Sequence, residues 1–170
     1  MPLFGFQTGS GEVAPGGDIV EGSVYTLSQR GTMFSMGLRL RTLSLSAFRL
    51  GIWNVSGGLP TYLLGATGEI TVTNGTQQNV EVGLQFPFAL NPDDYFLGAW
   101  TKDGASRLQT TAAAGTSASA GAIYSASVNT NILKLVSPSA GTNKDAIWAN
   151  YWLDDTLPKH NIRRSRKTSW

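Results

Sequence analysis

Residues 47–100 read AFRLGIWNVSGGLPTYLLGATGEITVTNGTQQNVEVGLQFPFALNPDDYFLGAW. A short apolar run, Phe48, Leu50 and Ile52, ends in the turn sequence Asn54-Val55-Ser56-Gly57-Gly58-Leu59-Pro60. The apolar segment Tyr62-Leu63-Leu64 follows, then an alternating strand (Ile70, Val72) and a turn at Asn74-Gly75. A second alternating strand (Val80, Val82, Leu84) leads to the run from Tyr95 to Trp100. Successive strand residues point to opposite faces, so each of these segments has one face to bury. Short strands divided by Gly, Pro and Asn at close spacing bury it by folding back as an antiparallel sandwich or barrel. The expected fold class is therefore all-β.

Upstream, Thr32 to Arg41 repeats the pattern. Phe34, Met36, Leu38 and Leu40 alternate with Ser35, Gly37, Arg39 and Arg41, which predicts an apolar face and a face carrying two arginines. The arginines read as a solvated sheet face, with an anion or glycan site as the sharper alternative. Val24 to Leu27 reads as a first short strand. Residues 1–24 are Gly-rich with poor periodicity, and Leu3, Phe4 and Phe6 would be exposed in a free terminus. They read as an extended arm that lies against something. Downstream, residues 103–122 (DGASRLQTTAAAGTSASAGA) hold almost nothing but small residues and read as a long loop, or as an arm threading between subunits. Strand character returns at Ile123-Tyr124 and Leu133 to Val136, with a turn at Pro138 and Gly141. The last strand, Ala146 to Leu153, is rich in aromatics and places Trp148 and Trp152 on one face with Asn150 between them. The expected organisation is an arm over 1–24, a sandwich over 25–158 and a basic tail over 159–170.

At 170 residues the chain is one domain by size and can bury roughly 70% of its unfolded surface. It has no cysteine, which excludes a disulfide scaffold, thiolate metal sites and cysteine catalysis. Only 14% of residues are charged and 20 are glycine, a composition suited to a β protein presenting broad surfaces to neighbours. The opening residues lack a basic segment followed by an apolar one, so no signal peptide is expected, and no window is long and apolar enough for a membrane span. The net charge of +2 hides an asymmetry: residues 159–170 carry five basic residues and no acid, leaving residues 1–158 with eight basic and eleven acidic residues, a formal −3.

No catalytic constellation emerges. The one histidine, His160, lies in the terminal tail. Neither a nucleotide-binding glycine loop nor metal-ligand spacing occurs. Glu69 and Glu81 could in principle pair as glycosidase carboxylates, but both sit at alternating polar positions that read as solvated. Asp93 and Asp94 read as turn residues capping backbone N–H groups. No enzyme, metal or cofactor is expected. The tail, with Lys159, Arg163, Arg164, Arg166 and Lys167 between the apolar anchors Ile162 and Trp170, reads first as a docking arm for an acidic protein, then as a solvated end, and last as a nucleic-acid contact. Leu3, Phe4 and Phe6 join it as docking candidates. Trp53, Trp148 and Trp152 are candidates for a glycan platform, although core packing is the first reading of Trp53.

The segment from Phe48 to Trp100 is similar to a jelly-roll β-sandwich module that recurs in secreted and viral proteins. The resemblance rests on the apolar strand ending in an aromatic (Arg49 to Trp53), the Ser-Gly-Gly-x-Pro turn (Ser56 to Pro60) and Leu-Leu-x-x-Thr-Gly (Leu63 to Gly68). It extends to Pro-x-x-Leu-x-x-x-x-Tyr-x-Leu (Pro87 to Leu97) and to Trp-Ala-Asn-Tyr-Trp (Trp148 to Trp152), and covers about residues 32–100 and 146–153. With the terminal extensions and the small size, it implies a tailed-phage virion accessory protein, either a capsid decoration protein or a tail or fibre component. Such a protein would sit at the virion surface after release by lysis. It would bind a major capsid or tail protein and form a symmetric homo-oligomer, a trimer among the options. The alternative is a carbohydrate-binding module with an exposed aromatic platform.

Overall fold

A computed structural model describes residues 2–14, 16–42, 46–72, 77–102, 106–121 and 139–153. They form twelve strands: β1 (Leu3–Gly5), β2 (Gly11–Val13), β3 (Ile19–Leu27), β4 (Gly31–Thr42), β5 (Ser46–Ser56) and β6 (Leu59–Ala66), then β7 (Ile70–Val72), β8 (Gln78–Leu90), β9 (Asp93–Thr101), β10 (Ser106–Gly121), β11 (Ser139–Asp145) and β12 (Ile147–Leu153). Every pairing is antiparallel. Two sheets pack as a sandwich. The first runs β1-β12-β4-β8 and the second β3-β9-β5-β6, with β7 continuing β6 along the edge of β5. Strand β10 belongs to both: residues 106–108 pair with β4, and residues 117–121 pair with β3.

The period of two places the core. In β5, Phe48, Leu50 and Ile52 point between the sheets, where Met36, Leu38 and Leu40 of β4 and Ile147, Ala149 and Tyr151 of β12 meet them. The alternate residues of the second sheet build a separate cluster on its other side, from Val20, Trp53, Phe96 and Trp100. The second sheet is thus apolar on both faces, which is why β5 is buried over eight successive residues. The β5–β6 connection is the two-residue turn Gly57-Gly58 with φ of 61° and 78°. Positive φ at both central positions matches the right-handed twist of a hairpin and strains any residue with a Cβ.

Four expectations change. The arm expected over residues 1–24 to lie against something is, in its described residues, part of the sheets. Strand β1 pairs with β12 and β2 with β10, Tyr151 N donates to Pro2 O at 3.3 Å, and the Phe4 ring is buried in the main core. What the segment lies against is its own sandwich. Residues 106–121 are a strand rather than a loop, because a strand is held by its backbone ladder and needs no large side chains; β10 pairs with β2, β3, β4 and β11. Gly141 lies inside β11 instead of a turn. The alternation in β4 also breaks. Met33, not Phe34, joins Met36, Leu38 and Leu40 in the core, because the register slips at this point against both neighbours. One inserted residue sends a side chain to the opposite face. The expected Asn74-Gly75 turn, the strands at 123–124 and 133–136 and the tail fall outside the described residues.

Candidate functional site

The bulge at Phe34 is the seed of the first candidate site. Opposite it, β12 passes directly from Asn150 (facing Ser35) to Tyr151 (facing Met33). On the other side, β8 passes from Gly83 (facing Ser35) to Phe88 (facing Met33), so residues 84–87 have no partner on β4 at the same level. Phe34 turns outward and stacks on Trp152, with ring centroids 4.3 Å apart and planes 20° apart. Trp152 keeps 41% of its surface exposed. Next to this ledge lies a polar trio. Ser35 Oγ donates to Glu81 Oε1 at 2.8 Å, and Asn150 Nδ2 donates to the same oxygen at 2.7 Å and to Ser35 Oγ at 3.0 Å. Ser35 and Asn150 are buried, whereas Glu81 is exposed.

A second candidate is the edge where β6 and β8 approach each other, joined by the bridge between Thr67 and Leu84. A groove of about 250 Å³ is lined there by Leu63, Leu64, Phe86 and Phe88. Phe86 is 80% exposed and Tyr62 54% exposed, with Leu64 also open to solvent. No Asp, Glu, Lys or Arg occurs in residues 54–68 or 82–92, the two segments that form this edge. Exposed edge strands are ordinarily protected by charge, and this one is not.

The other tryptophans are not platforms. Trp53 is 2% and Trp148 1% exposed, so neither ring can offer a face to a sugar. Trp53 belongs to the cluster outside the second sheet, and Trp148 lies across Gly37. Among the N-terminal candidates, Leu3 and Phe6 are partly exposed, whereas Phe4 is internal, edge-on to Tyr25 and Tyr95 at 6.5 and 6.3 Å. Phe6 is edge-on to Tyr25 at 5.7 Å, and Lys144 Nζ stands 4.8 Å from the Tyr25 centroid. Lys159, Ile162, Arg163, Arg164, Arg166, Lys167 and Trp170 lie outside the described residues. Arg39 donates to Asn79 and Gln77, and Arg41 pairs with Glu12 at 2.7 Å, so both arginines are engaged within the chain.

Sequence reasoning missed a buried polar knot beneath the second sheet. Ser23 Oγ donates to Asp145 Oδ2 at 2.9 Å and accepts from Asp145 N at 2.8 Å, while the Tyr25 hydroxyl donates to the Asp145 carbonyl. Burial pushes the Asp145 carboxyl up to about 6. Burial, aided by the charge of Asp145, pushes Glu21 up to about 7. Arg49 is likewise buried, donating from Nη2 to the Thr67 carbonyl at 3.0 Å. An isolated charged residue in an apolar run carries no mark of this in the sequence. Among the described residues, no cluster of three or more His, Asp or Glu side chains is placed to hold a metal ion. No protein-family model matches the chain, and no curated protein matches it in sequence.

Proposed function

We propose that the chain is a non-enzymatic structural protein of a phage virion, a jelly-roll sandwich that builds into the particle by binding copies of itself and a neighbouring capsid or tail protein. The observation that carries this reading is the uncharged edge of β6 and β8. Three large apolar side chains, Tyr62, Leu64 and Phe86, stand open along it beside an apolar groove. Contiguous exposed apolar surface marks an interaction site, and a surface free of charge can meet another copy without like-charge repulsion. The strand order β1-β12-β4-β8 over β3-β9-β5-β6 supports the jelly roll, since it is the order that paired Greek keys give. The virion setting rests on the resemblance of residues 32–100 and 146–153. A basic tail docking on an acidic lattice remains part of the proposal.

The test is solution mass by light scattering. The full chain is expected as a homo-oligomer whose mass is insensitive to salt, because the contact is apolar. Phe86→Glu is expected to return it to a monomer with an unchanged circular dichroism spectrum. A monomer at all concentrations, or an oligomer untouched by Phe86→Glu, would remove the edge from the interface.

A further inference from the structure

We infer that the ledge on the first sheet is a saccharide-binding site, in which the Trp152 ring carries the apolar face of a pyranose and Glu81 accepts hydrogen bonds from its hydroxyls. This goes beyond the structural role proposed above and uses different residues. A pyranose is two-sided in chemistry: its faces are lined with C–H groups and its rim with hydroxyls. A site for it needs a flat apolar surface and, one ring radius away, polar atoms fixed in place.

Trp152 supplies the surface. Phe34 backs one face of the indole at 4.3 Å and nearly parallel, and 41% of Trp152 remains open. The polar trio supplies the fixed atom. Asn150 precedes Trp152 by two residues on the same face, about 6.6 Å along the strand. It donates, with Ser35, to one carboxylate oxygen of Glu81, Oε1. That anchorage leaves the lone pairs of Oε2 for a ligand. A carboxylate held this way can accept from two neighbouring hydroxyls, and bonds to an ionised acceptor are roughly twice as strong as neutral ones. The bulge turns Phe34 to the same side as its neighbour Ser35, so the aromatic pair and the polar trio adjoin along β4 and β12, since bulges re-aim side chains out of the regular pleat. A quaternary ammonium is the competing occupant. It is held best within several aromatic faces set around it, whereas Phe34 lies parallel behind Trp152 and only one face is offered.

The experiment is a titration of the full chain followed by the indole N–H signals in heteronuclear NMR. The probes are maltotriose, cellotriose and triacetylchitotriose, with choline as the cationic control. At least one trisaccharide is expected to shift the Trp152 signal saturably, with a Kd of about 0.1–10 mM. Trp152→Ala is expected to abolish the shift of the remaining protein signals, and Trp152→Phe, which keeps a stacking ring, to restore much of it. Glu81→Gln is expected to weaken binding about tenfold, because the ionised acceptor is lost. Should Trp152→Ala fail to fold, Trp152→Phe and Glu81→Gln still decide the matter. The inference fails if none of the trisaccharides binds, if binding survives Glu81→Gln unchanged, or if choline alone shifts the signal. Phe86→Glu is expected to leave sugar binding intact, so failure of the assembly edge and failure of the ledge are separable.

Discussion

On the outer side of the second sheet Trp53 lies under cover, edge-on to Phe96 at 5.6 Å and packed with Val20 and Trp100. On the outer side of the first sheet Trp152 lies flat against Phe34 at 4.3 Å and open to solvent. Both tryptophans sit on strands whose alternate residues fill the main core, so both are directed away from it. The difference arises from what folds over them. The β5–β6 hairpin brings Leu59 and Leu63 onto the Trp53 cluster, with Val24 and Val55 beside them. No such hairpin covers Trp152 among the described residues, and its partner Phe34 was brought there by a bulge. Trp53 therefore lies in a second core, whereas Trp152 lies at a surface.

The largest expected consequence is in stability. Trp53→Ala empties a closed cluster and is expected to cost about 3–5 kcal/mol in urea unfolding. Trp152→Ala removes a half-exposed ring and is expected to cost about 1 kcal/mol or less. Equal losses would make the ledge a structural element and dissolve the contrast. Glycine replacements sharpen it next. A methyl group on Gly98 would stand 2.6 Å from Phe96 Cε1 and 3.0 Å from Trp53 Cζ3, so Gly98→Ala overpacks the closed face and is expected to cost about 1–3 kcal/mol. A methyl on Gly83, opposite Ser35, meets nothing nearer than the Phe34 carbonyl at 3.9 Å, and Gly83→Ala is expected to stay within about 0.5 kcal/mol.

A third, smaller effect separates the sheets by pH. The inner side of β3 carries Glu21, Ser23 and Tyr25, facing Asp145 and Lys144 of β11. Asp145 rises from 3.8 to about 6 and Glu21 from 4.5 to about 7 on folding, both chiefly through burial. Across these windows the folded chain binds more protons than the unfolded one. Stability contributed by these groups is therefore full below pH 4 and is lost as pH rises to about 7. Unfolding midpoints measured across that range are expected to fall with pH. Asp145→Asn, which keeps an acceptor for Ser23, is expected to flatten the lower part of the slope, and Glu21→Gln the upper part. A flat wild-type profile would contradict the burial of this pair.

The strands of residues 47–100 are legible because at least one face of each is apolar and the Ser56–Pro60 turn chemistry is explicit. Strand β10 was not, since its ladder is made by backbone groups that composition does not display. Phe34 was assigned to the core face by a period of two that the bulge interrupts, and a bulge is a register relation among three strands that no single segment contains. For the same reason Trp53, Trp148 and Trp152 stand together in the sequence as platform candidates, with core packing the first reading of Trp53 alone. Only the packing of the β6 arm of its own hairpin on Trp53, and of Trp148 over Gly37, leaves Trp152 as the one of the three that a ligand can reach.

The least disruptive change tests whether the open face is built or incidental. Ser35→Ala removes one of the two donors on Glu81 Oε1 and leaves the Phe34–Trp152 stack in place. Its stability cost is expected at about 0.5–1.5 kcal/mol, the worth of one hydrogen bond. If the trio serves only to satisfy buried polar atoms, that cost is the whole effect. If it fixes a carboxylate for a ligand, Glu81 gains freedom about its remaining bond to Asn150 Nδ2, and trisaccharide affinity falls a few-fold while the Trp152 signal shifts in the same direction. A Ser35→Ala chain that loses stability but keeps full affinity would assign Ser35 to the sheet and leave Asn150 alone as the residue that positions Glu81.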